Sequence, residues 1–160
     1  MSPPPDLTAA AWPDLAGRML RDADGRRHVL PVRVYFEDTD FSGLVYHATY
    51  LRWCERGRSD FLRLLGSEHR ALIAGGQDRE PAAFVVRRMG LEFLRPARID
   101  EVLEVTTRAK ELTAATLTLD QRVARNGVDL FAAEVMVVLI SASGKPLRLT
   151  TALREALQAS

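Results

Sequence analysis

The sequence reads Val32-Arg-Val-Tyr-Phe-Glu-Asp-Thr-Asp-Phe-Ser-Gly-Leu-Val-Tyr-His-Ala-Thr-Tyr50, and the patterns in this stretch decide the fold. Val32, Val34 and Phe36 alternate with Arg33 and Tyr35, which is the period of a β-strand with one buried face. The alternation then gives way to acidic residues. We therefore predict a strand that ends where the acids begin.

Three acidic residues crowd the end of this strand pattern, namely Glu37, Asp38 and Asp40. Like charges packed together raise the pKa of at least one carboxyl group and cost free energy. Such a cluster is typical of a solvated loop, a cation site or a catalytic site. The residues that follow the acids help to distinguish between these three kinds of site.

A long amphipathic helix follows the acids. Ser42-Gly43 supplies turn chemistry, and helical periodicity runs from about Val45 or Tyr46 to Gly66. Gly57 lies in the middle of the apolar face, where glycine costs about 1 kcal/mol relative to alanine. We therefore predict that the helix backbone packs closely against a sheet. The predicted apolar face comprises Tyr50, Cys54, Gly57, Phe61 and Leu64 or Leu65.

The composition favours one globular domain. The chain has 160 residues, 47% of them hydrophobic, and a chain of this length buries roughly two-thirds of its unfolded surface. Its 22 basic and 21 acidic residues leave a net charge of +1, which gives no general reason to expect nucleic acid or a membrane surface as a partner. We predict a flexible tail over residues 1–20 and a single domain over residues 21–160.

Targeting and metal-binding signals are missing from the sequence. No run of about 18 apolar residues predicts a membrane span, and the N-terminus lacks signal-peptide features, so we expect a cytoplasmic protein. Cys54 is the single cysteine, and His28, His47 and His69 are not spaced as metal ligands. We expect no metal and no cofactor, and we expect Cys54 to be a buried structural thiol.

The second half of the chain is rich in strand patterns. Four runs at about 82–95, 101–111, 114–125 and 129–142 are separated by short breaks, and Asn126-Gly127 is a strong hairpin signal. Residues 67–81 form a polar connection, and a short helix is predicted at about 150–158. The fold class is α+β, with one long helix on a curved five-stranded antiparallel sheet. In the first run, Val85, Met89, Leu91 and Phe93 share one predicted face.

Asp40 can act as a hydrolytic carboxylate if it lies near the start of the long helix. The first amides of a helix lack internal partners and carry partial positive charge, so they stabilise a developing oxyanion. Asp40 can then activate a water molecule or attack a carbonyl carbon itself, while His47 contacts the substrate or protonates a leaving group. Thioesters suit such a site because thiolates are good leaving groups.

Other interpretations of the same residues stay open at this point. An acid before a turn is often a structural Asx-turn residue, the role we expect for Asp38. Asp38-x-Asp40 also matches the first motif of dehalogenase-type phosphatases that use Mg²⁺. That class requires a parallel doubly wound sheet, a downstream lysine and a late acid pair, whereas this chain has two lysines, mostly hairpin patterns after residue 80 and no late Asp pair. A serine hydrolase built on Ser42 or Ser59 lacks a Gly-x-Ser-x-Gly elbow.

The quoted segment, extended through Leu51-Arg-Trp-Cys-Glu-Arg-Gly-Arg58, closely resembles the hotdog-fold acyl-CoA thioesterases. The resemblance is strongest to the branch associated with the bacterial Tol-Pal system, the YbgC-like proteins, which are relatives of 4-hydroxybenzoyl-CoA thioesterase. Three further segments carry the resemblance, so that it covers about residues 30–142: Ala83-Phe-Val-Val-Arg-Arg-Met89, Glu92-Phe-Leu-Arg-Pro-Ala-Arg98 and Ala133-Glu-Val-Met-Val-Val138.

The resemblance implies a set of site residues. The second Asp of the Asp-Thr-Asp motif, Asp40, is the implied catalytic carboxylate, with His47 as its companion and the His47 amide as the oxyanion contact. Where the aromatic-CoA relative carries a basic cluster for CoA phosphates, this chain has Thr113-Ala-Ala115. Arg87, Arg88 and Arg95 are the expected substitutes. The implied substrate-binding residues are Gly43, Val45, Tyr46, Glu55, Arg87 and Arg88.

The resemblance also implies an activity and an assembly. We expect hydrolysis of short- to medium-chain acyl-CoA in lipid metabolism, with acyl carrier protein thioesters as a second candidate substrate. Sites in this family form between subunits, so a homo-oligomer, either a dimer or a homotetramer, is expected. The alternative is a non-catalytic hotdog protein that binds acyl-CoA or acyl carrier protein and is linked to a membrane complex. Dehydratase activity on an acyl thioester is a further alternative on this fold.

Overall fold

The computed structural model describes residues 17–67 and 69–159. Its helices are α1 (His47–Leu64), α2 (His69–Ala74) and α3 (Thr151–Gln158), and a turn of 3-10 helix spans Phe36–Asp38. The strands are β1 (Arg18–Asp22), β2 (Gly25–Arg33), β3 (Ala82–Phe93), β4 (Val102–Leu112), β5 (Thr116–Arg125), β6 (Val128–Ser141) and β7 (Pro146–Leu147).

The strands of the described residues form one antiparallel sheet in the order β1-β2-β4-β5-β6-β3, with β7 paired to β6. Strands β3 to β6 are the four predicted runs, whereas β2 begins well before the predicted Val32–Phe36 strand, and the short strands β1 and β7 extend the sheet beyond the five predicted strands. Asn126 and Gly127 both have positive φ, at 50° and 78°, and they join β5 to β6 as the predicted hairpin turn. The predicted α+β class is confirmed.

The first predicted strand ends earlier than its alternation indicates. Strand β2 stops at Arg33, and although Val34 is fully buried, Phe36 is 82% exposed. The cause is local, because the Asp38 carboxylate accepts the Tyr35 amide at 2.8 Å and closes a 3-10 turn. The prediction of Phe36 as a third inward-facing strand residue is therefore wrong.

Two other regions differ from the sequence patterns. Helix α2 lies inside the predicted polar connection, and it buries Leu72. A register shift between Val86 and Arg88 moves Val85 to the face opposite Met89, because a bulge adds one residue to the strand. Of the predicted tail, residues 1–16 lie outside the described residues and Arg18–Leu20 belong to β1.

Helix α1 lies across the inner face of the sheet, as its periodicity predicts. Trp53, Cys54 and Phe61 are at most 2% exposed, and burial raises the pKa of the Cys54 thiol to about 12. Of the two predicted last residues of the apolar face, Leu64 is 36% exposed, whereas Leu65 is partly buried against the core. The buried sheet side chains beneath it include Leu103, Val105, Leu117, Leu119, Val123, Phe131, Val135, Val137 and Leu139.

Gly57 is the point of closest approach between α1 and the sheet. A Cβ atom built there would lie 3.1 Å from both Thr107 Oγ1 and Val105 Cγ1, and 3.3 Å from Gln121 Nε2. The buried Gln121 amide donates to the Cys54 carbonyl and to Thr107 Oγ1, both at 2.9 Å. The predicted close contact is therefore present, and a polar bridge accompanies it.

No helix of the described residues is both long and apolar enough to cross a bilayer.

Substitution of Gly57 by valine is expected to destabilise the protein by about 1–3 kcal/mol, because overpacking of a tight helix–sheet contact forces backbone shifts. The free energy of unfolding from urea denaturation measures the loss. Arg52→Val, on the exposed side of the same helix, controls for the helix propensity of a β-branched residue. Equal stability of the two variants would contradict the close-contact explanation.

Candidate active site

A short loop carries Asp40 from the sheet to α1. The Asp40 amide donates to the Leu44 carbonyl and the Gly43 amide donates to the Asp40 carbonyl, both at 3.0 Å. Gly43 has a φ of 77°, a conformation that side chains disfavour, and an isolated bridge pairs Thr39 with Val45. The loop is thus closed by its own backbone, which places Asp40 and the start of α1 side by side.

The carboxylate of Asp40 is exposed and hydrogen-bonded. Its Oδ1 accepts the Ser42 hydroxyl and the Ser42 amide, the latter at 2.8 Å. The hydroxyl contact contributes most to holding the pKa of Asp40 below its ordinary value, followed by the amide, and the charge of His47 adds to the effect. Asp40 is therefore ionised at neutral pH.

The N-terminus of α1 presents unpaired amides. The Tyr46 amide at the N-cap donates to the Asp38 carbonyl at 2.8 Å, and the Tyr46 side chain does not cap the helix. Within the described residues, the amides of His47 and Ala48 have no hydrogen-bond acceptor. Two donors with partial positive charge are therefore available for a carbonyl oxygen or another anion.

An apolar cavity of about 330 Å³ opens beside the helix start. The Phe93 ring lies 6.3 Å from the ring of His47 and 5.9 Å from that of Tyr50, and Phe93 is 52% exposed. The Tyr50 hydroxyl is buried and accepts the Ala97 amide at 3.1 Å. The cavity is lined by Leu44, Val45, His47, Tyr50, Phe93, Leu94, Arg95 and Pro96.

The other two acids of the cluster do not join Asp40. The Asp38 carboxylate is turned to the Tyr35 amide and Glu37 is exposed, so Asp38 has the structural role that the sequence predicts. Residues 17–67 and 69–159 contain no group of three or more His, Cys, Asp or Glu side chains placed to hold a metal ion.

Of the predicted substrate-binding residues, Val45 lines the cavity, and Gly43 and Tyr46 flank it in the chain. Glu55 is exposed and accepts the Ser59 hydroxyl at 3.4 Å. It is eight residues beyond His47, or about 12 Å along the helix axis. Within one chain, neither Glu55 nor its neighbours line the cavity.

Arg87 and Arg88 are exposed on β3, and neither lines the cavity. Arg88 is five residues before Phe93, or about 17 Å along an extended strand. Arg95 is the arginine that reaches the cavity, and its guanidinium donates to the Asp129 carbonyl at 2.8 Å. The structure therefore brings Arg95, rather than the strand arginines, to the helix start.

Sequence reasoning missed the contribution of the segment after β3 to this cavity. Phe93, Leu94 and Pro96 are far from Asp40 in the chain and carry no catalytic group. Tyr50 was expected to pack, and it does stack on Phe131 at 5.2 Å, but it also lines the cavity. The segment Glu92–Arg98, which resembles the family, is the signal that could have indicated these cavity residues, but only Arg95 within it was predicted to bind substrate.

Comparisons with known proteins place this architecture in a family. The model of the thioesterase superfamily matches residues 42–132. Acyl-CoA thioester hydrolase YbgC of Escherichia coli O6:H1 is 44% identical over 112 residues, which cover 69% of this chain and 79% of that protein. Acyl-CoA thioesterase YbgC of Haemophilus influenzae is 39% identical over 110 residues, with coverage of 69% and 78%.

Solved structures agree with the sequence matches. A probable thioesterase from Bartonella henselae is 45% identical, with a TM-score of 0.74 over 78% of this chain and 99% of that one. A thioesterase from Thermus thermophilus, solved with coenzyme A and zinc, is 26% identical, with a TM-score of 0.69 over 82% and 92%. These matches confirm the predicted hotdog fold, and the chain belongs to the thioesterase superfamily.

Proposed function

We propose that this protein hydrolyses short- to medium-chain acyl-CoA to free acid and CoA. The observation that carries the proposal is an ionised carboxylate, Asp40, in the short loop that leads to two helix amides without acceptors in the described part of the chain. The same helix start lines the apolar cavity through Val45 and His47, whereas Asp40 itself is not a lining residue. The names of the YbgC relatives support the substrate class. The family supports thioester hydrolysis as the reaction.

In the proposed reaction, the thioester carbonyl oxygen accepts hydrogen bonds from the amides of His47 and Ala48. These donors stabilise the negative charge that develops on the oxygen as the carbonyl carbon becomes tetrahedral. Asp40 either attacks the carbonyl carbon or removes a proton from the water molecule that attacks it. Collapse of the tetrahedral species expels the CoA thiolate. Where water attacks, the free acid is formed directly; where Asp40 attacks, an anhydride on Asp40 is formed, and a water molecule then hydrolyses it to the free acid and restores the carboxylate.

His47 is the second catalytic residue in this proposal. Its ring lies between Tyr46, at 4.4 Å, and Phe93, and it lines the cavity that would receive the acyl group. From there it can contact the thioester or supply a proton to the departing sulfur. Arg95 is the one arginine among the described residues that line this cavity, and it is available to pair with an anionic part of the substrate.

The hydrogen bonds that Asp40 accepts in the free chain favour its ionised form over its protonated form. The Ser42 hydroxyl and amide stabilise the charged form, which makes Asp40 a weaker base. A bound acyl group would displace water from this exposed carboxylate, and the loss of solvent raises its pKa and its reactivity. Substrate binding would thus activate the carboxylate.

A second copy of the chain is part of the proposal. Among the described strands, β3 pairs only with β6, so its other edge is unpaired. The inner face of this edge strand exposes apolar side chains: Val86 is 46%, Leu91 36% and Phe93 52% exposed. Pairing of two β3 edges would bury these side chains and cover the cavity next to Phe93. A dimer of this kind, or a homotetramer built from it, would complete the site.

The wider setting of the reaction follows from the family resemblance. We propose a cytoplasmic enzyme of lipid metabolism, associated with the Tol-Pal system, that also accepts acyl carrier protein thioesters. A non-catalytic protein that binds acyl-CoA is the competing function, and activity assays separate the two.

Asp40→Asn is expected to lower kcat by a factor on the order of 10² or more, because it removes the nucleophile or general base. The measurement is release of free CoA from acetyl-, propionyl-, butyryl-, palmitoyl- and aromatic CoA thioesters. His47→Ala is expected to cost less. Glu37→Gln, which neutralises a neighbouring exposed acid, should retain activity. Full activity of Asp40→Asn would remove Asp40 from the mechanism, and no hydrolysis by the wild type would favour the binding function.

Ser42→Ala is expected to shift the acid limb of the kcat/KM profile to higher pH. The Ser42 hydroxyl lowers the pKa of Asp40, so the active ionised form persists below the ordinary pKa of an aspartate, about 3.9. Loss of that bond raises the pKa, and activity then falls at a higher pH as the solution is acidified. Ser59→Ala, which removes a hydroxyl bonded to Glu55 instead, is the matched control. An unmoved limb would contradict the role of Ser42.

Val86→Lys is expected to convert the assembly to monomers, because it places a charge on the proposed β3 contact. Light scattering after size exclusion measures the mass. Val128→Lys is the matched control, since Val128 is also 46% exposed but lies at the β5–β6 turn. Monomeric wild-type protein, or an oligomer that survives in Val86→Lys, would contradict the proposed interface.

A further inference from the structure

A second and larger cavity lies on the opposite half of α1 from the proposed active site. It has a volume of about 700 Å³ and is lined by Leu30, Ser59, Asp60 and His69 together with three arginines, Arg56, Arg63 and Arg70. We refer to these seven residues as the arginine groove. Its first helix residue, Arg56, is nine residues beyond His47, or about 14 Å along the axis. The arginine groove is therefore separate from the Asp40 site.

The arginine groove is strongly cationic. Among the described residues that line it, Asp60 is the single acid, and that carboxylate already accepts the Arg63 guanidinium at 2.8 Å and His28 Nε2 at 2.6 Å. No ion pair joins Arg56 or Arg70 to a carboxylate within residues 17–67 and 69–159. The size of the groove is in the range of ligand-binding clefts. Its positive charge favours the binding of a ligand or chain segment that carries acidic groups.

The chain itself enters the fold at the wall of the arginine groove. The Gly17 amide donates to Asp60 Oδ2 at 2.6 Å, the same oxygen that His28 contacts. Gly17 is buried, and a Cβ atom there would lie 2.3 Å from the Val29 carbonyl oxygen and 2.7 Å from His28 Nε2. Asp60 therefore ties the beginning of the described chain directly to a groove residue.

The sixteen residues before Gly17 have the composition that the arginine groove requires. The segment Met-Ser-Pro-Pro-Pro-Asp-Leu-Thr-Ala-Ala-Ala-Trp-Pro-Asp-Leu-Ala contains two acids, Asp6 and Asp14, and no lysine or arginine. It also carries large apolar side chains, including Trp12 and Leu15. Trp12 is five residues before Gly17, which is within about 17 Å of extended chain.

We propose that the arginine groove is the docking site of the chain's own N-terminal segment, residues 1–16. The acids of the segment pair with Arg56 and Arg70, and its apolar side chains cover Leu30 and the arginine stems. Covalent attachment at Gly17 gives the segment an effective concentration in the millimolar range, so that modest contacts suffice. In this proposal, the arginine groove is occupied by a segment of its own chain.

The fluorescence of Trp12 tests this proposal in the full chain. The protein has two tryptophans, Trp12 and Trp53, and Trp53 is 1% exposed. Subtracting the emission of Trp12→Phe isolates Trp12. In the wild type, Trp12 is expected to be shielded from acrylamide, and the double variant Arg56→Glu/Arg70→Glu should increase its quenching constant severalfold. High salt should have a smaller effect in the same direction.

Arg52→Glu is the matched control, because Arg52 is an exposed arginine of the same helix outside the arginine groove. It should leave the quenching of Trp12 unchanged. Circular dichroism melting of each variant verifies that the fold persists. Trp12 quenching at the level of free indole in the wild type, or equal effects of the two charge reversals, would overturn the proposal.

Charge reversal on the segment provides the second readout, again in the full chain. Asp6→Arg/Asp14→Arg should increase the quenching constant of Trp12, and combining it with Arg56→Glu/Arg70→Glu should restore the shielding. An unchanged Trp12 signal in Asp6→Arg/Asp14→Arg would overturn the proposal. Release of Trp12 by inorganic phosphate at constant ionic strength would instead assign the arginine groove to a small anion, and a Trp12 signal that depends on protein concentration would assign it to a second copy.

Discussion

The close contact between α1 and the sheet at Gly57 is the constraint on which the rest of the molecule depends. With no side chain at Gly57, the helix backbone approaches Val105 and Thr107 closely enough for Gln121 to bridge the Cys54 carbonyl and β4. Arg58 is also buried here and donates to Gln121 Oε1 at 3.0 Å. Because the hydrogen bonds of Gln121 lie inside the core, they fix the position of α1 both along its own axis and across the sheet. The position of the first turn of α1, and of its unpaired amides, follows from that contact.

The chemistry of the site comes from what the loop before α1 leaves unsatisfied. Backbone bonds close the loop around Gly43, Ser42 satisfies part of the Asp40 carboxylate, and the amides of His47 and Ala48 stay without acceptors. The site thus combines one negative group with donors that favour negative charge at a neighbouring point. Such an arrangement is more useful to a reaction than to stability. In the proposed dimer, the same β3 edge that needs a partner carries Phe93 to the cavity, so assembly and catalysis share one surface.

The two halves of α1 have different electrostatic characters. Its first turn offers backbone amides beside Asp40, whereas its later turns contribute Arg56 and Arg63 to the arginine groove. Asp60 organises that second region. Burial alone would raise its pKa, but its bonds with Arg63, His28 and Gly17 outweigh burial, and the net pKa is lowered. The stability that comes with this lowered pKa is present above the ordinary range of an aspartate and is lost as the pH falls through the folded-state pKa.

Local patterns along the chain determined the class of fold and the main candidate residue. The periodicity of α1, the Asn126-Gly127 turn and the acid-to-helix transition at Asp40 each depend on neighbouring residues and on backbone preferences. The tertiary structure alone decided which distant residues meet. A bulge in the pairing of β3 with β6 determines on which face of the sheet Val85 lies. Arg95 rather than Arg87 reaches the cavity because the chain turns after β3. Packing between elements, not local preference, sets these outcomes. The sequence by itself therefore determined the long helix, the strands of the second half and the candidate carboxylate, Asp40, because these depend on local patterns. The packing of β3 and its following segment against α1 decided the rest of the candidate site.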